Sequence, residues 1–422
     1  MELSVVELFA GVGGFRVGLN HIKEFDKKTG VAIEQGYWKF VWANQWEPST
    51  KVQPAFDCYK LRFNNKDETH VNLDISEIDK NDIPNHSLLV AGFPCQDYSV
   101  ARTLSKEQGI KGKKGSLWWE IVEVVKHKNP PFILLENVDR LLKSPAKIRG
   151  RDFAVMLSTL DSLGYIVQWR VINAGEYSMP QRRRRVFILA ARKDTKYGKS
   201  IMQHKNIEEY LVKDGFFNEL FPVVQEAKVK NKSFEKYKDI HEISEKFEGG
   251  KFLTAGIFLD KMVMNFDAEA IVEEYYPLGK VIEDARKFQQ ANLEDYVLEE
   301  QVLEKWRYLK GAKKIPRIKP NGDEYFFAEG GMCFPDRLDI PARTMLTSES
   351  TTNRSSHIIK DIKLNEIRKI TEVEAEALQM FPYDWTNTGM SKRQRYFMMG
   401  NALVTGIISR LEPKLRKIVE NE

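Results

Sequence analysis

The feature that most constrains the fold is a regular alternation of short apolar runs and helical patterns over residues 1–193. Runs that predict strands lie at Val5–Phe9, Phe40–Ala43, Val71–Leu73, Leu88–Ala91, Phe132–Leu135, Tyr165–Ile172 and Arg185–Ala191. Helical patterns lie at Gly14–His21, Pro48–Arg62, Ser116–Lys126 and Arg151–Leu163. Because this alternation is typical of βαβ units, the sequence predicts an α/β fold with a mostly parallel sheet.

The alternation stops after residue 193. Charged patterns that predict helices follow at Ala268–Tyr276 and Val281–Tyr296. Regularity returns near residue 335, and "GNALVTGIISRLEPKL" predicts a closing helix. We therefore predict a first domain over residues 1–193, a second and smaller domain over 194–335, and a return segment over 336–422 that completes the first domain.

Composition excludes several classes of protein. The chain has 422 residues, 42% of them hydrophobic and 30% charged, which is typical of a globular protein. Its cysteines, Cys58, Cys95 and Cys333, lie far apart and outside any CxxC motif, which argues against disulfides and against a structural metal site. We expect a reduced, cytosolic protein with no metal. No apolar stretch approaches the roughly 18 residues of a membrane span.

A glycine turn follows the first predicted strand. In "VVELFAGVGGFRVGL", Gly11, Gly13 and Gly14 allow a sharp turn and close approach to a ligand. The spacing lacks the G-x-G-x-x-G pattern of dinucleotide sites. The turn alone is therefore equally compatible with a nucleoside-type cofactor and with a purely structural role.

Polar and aromatic side chains stand at the ends of the next two predicted strands. Gln45 and Trp46 occur in "VWANQWEP", and Asp74 occurs in "NLDIS". Trp46 could stack on an adenine ring, Gln45 could reach ribose hydroxyls, and Asp74 could accept from an adenine amino group. A core tryptophan and a helix-capping aspartate are the alternatives. Together with the glycine turn after the first strand, three strand ends at one edge of a sheet favour a cofactor site.

A cysteine follows the strand in "LLVAGFPCQDYSV". Ionising a free thiol at pH 7 costs about 2 kcal/mol, because its pKa lies near 8.5. A neighbouring helix N-terminus offsets much of that cost and favours a nucleophilic thiolate. An inert buried cysteine is the alternative, but Pro94 and the polar residues after Cys95 argue against simple packing.

Two further stretches carry candidate catalytic groups. Glu136 ends the apolar run of "FILLENVDRLL", where partial desolvation should raise the pKa of its carboxyl group. In "MPQRRRRVFIL", Gln181, Arg183 and Arg185 alternate and so share one face. Because this run continues directly into a buried-looking strand, we expect half of it to face inward.

Together these motifs resemble the DNA cytosine-5 methyltransferase family of bacterial restriction–modification systems. "FAGVGGF", "GFPCQDYS", "ENV", "QRRRR" and "GNAL" stand in the family's order. The resemblance covers about Val5–Lys193 and the chain from Arg337 onward. It implies the Rossmann-like fold of methyltransferases that use S-adenosylmethionine, with a target-recognition domain at residues 194–335.

The resemblance also implies a mechanism. Cys95 would add to C6 of a cytosine flipped out of the duplex, and Glu136 would bond the ring N3. Arg185 would contact O2, and Arg183 would buttress the site. C5 would then accept the methyl group of S-adenosylmethionine, after which loss of the C5 proton and release of Cys95 restore the ring.

The cofactor pocket implied by the resemblance departs from the family at Gln45, where an acidic residue is usual. Its residues would be Phe9, Ala10, Gly11, Val12, Gly13, Gly14, Gln45, Trp46, Asp74, Ile75, Pro94, Leu117, Asn401 and Ala402.

We expect duplex DNA as the partner. The stretch Lys305–Lys319 has no carboxylate, and within it we predict that Lys310–Lys319 contacts the DNA backbone or groove, with an ordinary solvated surface as the alternative. The candidate DNA-binding residues are Gln96, Ser99, Arg102, Gln181, Lys310, Lys313, Lys314, Arg317, Lys319, Arg337, Thr347 and Ser348.

Other functions compete with this prediction. The same fold could methylate tRNA, and a catalytically inactive relative could bind DNA without modifying it. Redox chemistry with a nicotinamide cofactor is a further alternative, but the sequence lacks the glycine spacing that binds the phosphates of such a cofactor. Within the favoured function we expect a monomer in the bacterial cytoplasm, associated with the nucleoid, whose cognate restriction endonuclease acts separately.

Overall fold

The computed structural model describes residues 1–64, 68–93, 117–319 and 321–422. The strands described are β1 (Ser4–Leu8), β2 (Lys39–Asn44), β3 (His70–Val71), β4 (Leu88–Gly92), β5 (Phe132–Val138), β6 (Tyr165–Asn173), β7 (Arg184–Arg192), β8 (Lys230–Ser233), β9 (Ala255–Leu259), β10 (Met262–Phe266), β11 (Lys313–Ile318), β12 (Glu324–Glu329), β13 (Ile358–Asp361) and β14 (Glu366–Lys369).

The α-helices described lie between and beyond these strands. They are α1 (Gly14–Leu19), α2 (Pro54–Phe63), α3 (Leu117–Lys128), α4 (Arg151–Ser162), α5 (Lys196–Met202), α6 (Ile207–Lys213), α7 (Ile240–Lys246), α8 (Leu278–Ala285), α9 (Glu300–Lys310), α10 (Glu372–Leu378), α11 (Lys392–Asn401) and α12 (Thr405–Glu420).

One large sheet organises the molecule, with the strand order β3-β2-β1-β4-β5-β7-β6-β9-β10-β8. Strands β1 to β5 pair in parallel, whereas β7 is antiparallel to both of its neighbours, β5 and β6. Strand β6 therefore runs in the same direction as β1 to β5. The predicted α/β fold with a mostly parallel sheet is confirmed.

Helices cover both faces of this sheet and bury its central strands almost completely, whereas the edge strand β8 is largely exposed. On one face, Trp118 and Ile121 of α3 and Phe153 of α4 pack on the sheet. On the other face, α1 packs with Ile407 and Leu411 of the closing helix α12. The return segment thus contributes to the same core as the amino-terminal strands, although hundreds of residues separate them.

The predicted division at residue 193 does not coincide with a break in the sheet. Strands β8 to β10 lie beyond that residue and extend the sheet, since β9 pairs with β6. The small sheet of β11 and β12 is separate. Whether residues 194–335 act as a unit that recognises the target stays a prediction.

Two predicted helices differ from the structure. Ala268–Tyr276 is not helical, because its backbone bonds to other segments: Ile271 N donates to Pro222 O and Glu273 N donates to Glu176 O. Val281–Tyr296 contains only the end of α8 and two short 3₁₀ turns. None of the helices in the described ranges combines the length and apolar character needed to cross a bilayer.

Candidate active site

The turn after β1 has the backbone geometry that its glycines predict. Phe9, Gly11 and Gly13 all have positive φ angles, of 55°, 55° and 88°. A Cβ atom on Gly13 would lie 2.5 Å from the Phe63 ring, whereas one on Gly11 would meet no atom within 4 Å. Gly13 therefore permits close packing, and Gly11 borders open space at the carboxyl end of β1.

Gln45 shapes this turn directly. Its side-chain Oε1 accepts a hydrogen bond from Gly11 N at 2.7 Å. Asn44 ties the ends of β2 and β3 together, because its Nδ2 donates to Leu73 O at 2.9 Å. Asp74 has the capping role that was its alternative interpretation, since its Oδ1 accepts from Ser76 N at 3.1 Å. Contacts of Gln45 and Asp74 with a cofactor stay predictions.

Glu136 lies at the carboxyl end of β5, beside the end of β4. The register pairs Gly92 with Glu136, and a Cβ atom on Gly92 would lie 3.5 Å from Glu136 Oε2. Asn137 Nδ2 donates to Phe93 O at 2.9 Å. The end of β4 is therefore fastened to β5. Pro94 and Cys95 follow in the sequence but lie outside the described residues, as do Gln96, Ser99 and Arg102.

Arg185 forms an ion pair with Glu136. Its Nε lies 3.0 Å from Glu136 Oε1, and both side chains are largely buried. Burial raises the pKa of Glu136, and the charges of Arg185 and Arg183 offset that rise only in part. The pKa of this carboxyl group is therefore raised above its ordinary value, which is the direction that the sequence predicts.

Arg183 holds the return segment in place. Its side chain is buried, and its two terminal nitrogens donate to Met345 O at 3.0 Å and to Gly400 O at 2.8 Å. Burial lowers the pKa of Arg183 to about 9. Arg183 thus connects the start of the strand that carries Arg185 to two distant stretches of chain, and its role in buttressing the site stays a prediction.

The prediction that Gln181 contacts DNA is wrong. Gln181 is fully buried, its Nε2 donates to Leu378 O at 3.1 Å, and its Oε1 accepts from Met345 N at 2.9 Å. Both polar ends of the amide are therefore used within the protein. The alternation of Gln181 with Arg183 indicated a shared face, and that face points inward.

The "GNAL" motif lies where α11 ends. A Cβ atom on Gly400 would lie 2.4 Å from Thr347 N, so glycine allows the backbone of Thr347 to pass. Asn401 is exposed, and Ala402 and Leu117 are half-buried. Thr347 and Ser348 are also half-buried, and Ser348 O accepts from Asn353 Nδ2 at 2.7 Å. Cofactor and DNA contacts of these residues stay predictions.

The basic stretch divides into buried and exposed cations. The prediction for Lys310 is wrong: it is fully buried, and its Nζ lies 3.0 Å from Asp336 Oδ2. Lys313 is half-buried, and its Nζ donates to Leu309 O at 2.9 Å. Among the described residues of the set, the exposed cations are Lys314, Arg317, Lys319 and Arg337, of which Lys319 is paired with Asp323 and Arg337 with Asp339.

The sequence reasoning missed a buried carboxyl group beneath the glycine turn. Glu7 lies in β1, and its Oε2 accepts from the Tyr59 hydroxyl at 2.8 Å. Burial raises the pKa of Glu7 to about 8, against the opposing charge of Arg16. A charged residue inside the apolar run "VVELF" was the available signal.

Glu7→Gln is expected to flatten the pH dependence of stability. The unfolded chain loses this proton near pH 4.5, whereas the folded protein keeps it to about pH 8, so wild-type stability falls as pH rises between those values. The difference in free energy of unfolding between the variant and wild type should therefore shift in favour of the variant from pH 5 to pH 8, as measured by urea unfolding. The exposed Glu2→Gln is the control, and equal pH slopes for Glu7→Gln and wild type would contradict the prediction.

Comparison with known proteins gives a consistent result over the whole chain. Residues 3–417 match the family described as C-5 cytosine-specific DNA methylase. The chain is 46% identical over 422 residues to Type II methyltransferase M.Sau3AI of Staphylococcus aureus, which covers 99% of this chain and 96% of that protein. It is 30% identical over 192 residues to Type II methyltransferase M.HhaI of Haemophilus parahaemolyticus, covering 46% and 50%.

Solved structures with low sequence identity share the fold. The S. pombe Dnmt2 methyltransferase matches with a TM-score of 0.57 at 16% identity, covering 99% of both chains. The Entamoeba histolytica methyltransferase EhMeth matches with a TM-score of 0.55 at 14% identity, covering 99% of this chain and 98% of that one.

Proposed function

Because the chain belongs to the C-5 cytosine-specific DNA methylase family, we propose that it methylates C5 of a flipped-out cytosine through a covalent Cys95–C6 intermediate. Its activity is that of a DNA cytosine-5 methyltransferase of the restriction–modification type. The observation that carries the mechanism is the buried Glu136–Arg185 pair beside the end of β4, after which Pro94 and Cys95 follow in sequence.

The pair is suited to activating a pyrimidine ring. A protonated Glu136 carboxyl donates to N3 and withdraws electrons from the ring, which favours thiolate addition at C6. Arg185 orients that carboxyl and offers further guanidinium N–H groups to O2. Arg183 acts as a positioning residue for Arg185, because it bonds to the backbone carbonyls of Met345 and Gly400. Addition at C6 makes C5 nucleophilic and so divides a difficult substitution into two easier steps.

The strand ends fit S-adenosylmethionine, which when bound supplies an electrophilic methyl group. Gly11 borders open space, and Gln45 fixes the turn that contains it. Trp46 follows at the end of β2, where an aromatic ring can cover an adenine. The proposed role of these residues is to orient the cofactor toward the edge of the sheet where Glu136 lies.

The relative that matches along nearly the full chain is a type II methyltransferase, which favours duplex DNA over tRNA as the substrate. We expect a monomer in the bacterial cytoplasm near the nucleoid, with a cognate endonuclease acting separately. Incubating the protein with duplex DNA or tRNA, followed by bisulfite sequencing, tests the substrate. Methylation at one defined DNA sequence is expected, and methylation of tRNA alone would overturn the proposal.

Gln45→Ala is expected to weaken cofactor binding more than it slows turnover. It removes the acceptor for Gly11 N, which contributes about 1 kcal/mol and should raise the KM for S-adenosylmethionine roughly fivefold. Gln45→Glu is the matched control, because a carboxylate still accepts this bond. An unchanged KM in the alanine variant would contradict the predicted role.

Lys314→Glu combined with Arg317→Glu is expected to weaken DNA binding and to reduce its salt dependence. Each phosphate contact that is lost should lower the slope of log K against log salt by about 0.9. Lys27→Glu with Lys28→Glu is the control, because these exposed residues lie in the connection between α1 and β2, outside the basic stretch. A salt slope that the Lys314→Glu and Arg317→Glu changes leave as it is in wild type would remove the small sheet of β11 and β12 from the DNA interface.

A further inference from the structure

Strands β11 and β12 form a hairpin with two different faces. Directly opposed residues pair Lys314 with Ala328, Pro316 with Phe326, and Ile318 with Glu324, so these six share one face, here called the outer face. All six are exposed, Ile318 by 70% and Phe326 by 60%. The outer face is therefore an open surface with an apolar centre.

The opposite, inner face contacts the protein at the root of the hairpin, whereas Arg317 and Tyr325 of that face, nearer its turn, are exposed. Ile315 and Phe327 are half-buried there, and Arg354 Nη1 donates to Glu329 Oε2 at 3.0 Å. Lys313 Nζ is bonded to Leu309 O at 2.9 Å, at the end of α9. These contacts fix the orientation of the hairpin and leave the outer face available to a partner.

A continuous series of contacts connects the root of the hairpin to the candidate active site. Lys310, which precedes β11, contacts Asp336 at 3.0 Å, and Asp336 contacts Arg343 at 2.7 Å. The next residue, Thr344, donates from Oγ1 to Arg182 O at 2.7 Å. Arg182 directly precedes Arg183, which bonds to the return segment. The hairpin is thus rooted beside the chain segment that leads to Arg185.

The chemistry of the outer face suits a DNA groove. The major groove admits a two-stranded β-ribbon, and the C5-methyl group of thymine is the apolar group that it presents. Lys314 lies on this face with its Nζ 4.6 Å from the Phe326 ring, and Lys319 follows β11, so cations flank the apolar centre. Glu324 is compatible with this setting, because a carboxylate can accept from cytosine N4.

We propose that the outer face enters the major groove and that Ile318 and Phe326 pack against thymine methyl groups of the target sequence, an inference that rests on the proposed function. Ile318 and Phe326 then determine specificity, whereas Lys314 and Lys319 contact phosphates. Apolar contacts carry no counterion release, so the two groups of residues make separable contributions to binding.

Exchanging thymine for uracil in the target duplex tests the contact, because uracil lacks only the methyl group. With the 422-residue chain and the target sequence found by bisulfite sequencing, one exchange should weaken wild-type binding about fourfold, the effect of one buried methyl group. Phe326→Ser or Ile318→Ser should bind the thymine and uracil duplexes equally at the contacted position. Neither variant should change the salt slope.

Matched variants separate this contact from other effects. Tyr37→Ala removes an aromatic side chain that is 68% exposed and precedes β2, so it should keep the wild-type preference for thymine. Phe326→Leu should keep most of that preference. Thermal unfolding should be nearly unchanged in all four variants, since the altered side chains are exposed.

Three results would overturn the inference while the proposed function stands. The first is a target sequence without thymine. The second is additivity, in which the losses of binding free energy from the uracil exchange and from the side-chain change sum to the loss seen when both are combined. The third is an outer-face variant that changes the oligomeric state in sedimentation without changing the thymine preference. The last result would assign the outer face to a second copy of the chain. Failure of the proposed function itself would appear separately, as absence of DNA methylation.

Discussion

Glu136→Gln is expected to slow methyl transfer by about 10²- to 10⁴-fold, the range typical of losing a positioned proton donor. The amide of glutamine can still donate a hydrogen bond to N3 but cannot transfer a proton to it. The substitution also removes the carboxylate that lies 3.0 Å from Arg185. Single-turnover methylation measures the effect. Binding of the DNA duplex should change little, because the variant keeps the shape of the side chain.

The pH profile distinguishes this role from a purely structural one. Wild-type single-turnover rate should fall as the pH rises above the raised pKa of Glu136, and the Glu136→Gln variant should lack that fall. The half-buried Glu123→Gln on α3, whose carboxylate pairs with Lys126, is the control. A Glu136→Gln rate within twofold of wild type would remove the carboxyl group from the mechanism.

Arg183→Met is expected to lower the free energy of unfolding by about 3 kcal/mol, the sum of two charge-assisted hydrogen bonds of about 1.5 kcal/mol each. It leaves the carbonyls of Met345 and Gly400 without their buried donor. Activity should fall as well, because Arg185 loses its support. Urea unfolding and single-turnover rates measure the two effects.

The neighbouring residue provides a sharp control for this variant. Arg184 is exposed, and its Nε lies 3.4 Å from Asp139 Oδ2, so Arg184→Met should change stability by less than about 0.5 kcal/mol. Equal effects of Arg183→Met and Arg184→Met would contradict the assigned difference between the two arginines.

The sequence predicted the sheet and the shared face of the arginine motif well, because both depend on local periodicity. The sequence could not identify which residues the face of Gln181 and Arg183 contacts. The carbonyls that Arg183 bonds lie 162 and 217 residues further along the chain. Gln181 was misassigned for the same reason, since its partners belong to the return segment.

Two other differences also arise from tertiary contacts. The stretch Lys305–Lys319 has no carboxylate, but Asp336, 26 residues after Lys310, neutralises that lysine in the interior. Ala268–Tyr276 is rich in glutamate, which favours a helix in isolation. Its backbone instead bonds to residues near 176 and 222, and these contacts override local propensity.

The most direct test of the mechanism is covalent trapping on a target duplex that contains 5-fluorocytosine. Fluorine at C5 cannot leave as the proton does, so the adduct should persist in the presence of S-adenosylmethionine. Mass spectrometry should place the pyrimidine on Cys95, and Cys95→Ser should form no adduct and methylate no DNA. An adduct on another residue, or wild-type methylation by Cys95→Ser, would contradict nucleophilic attack by this cysteine.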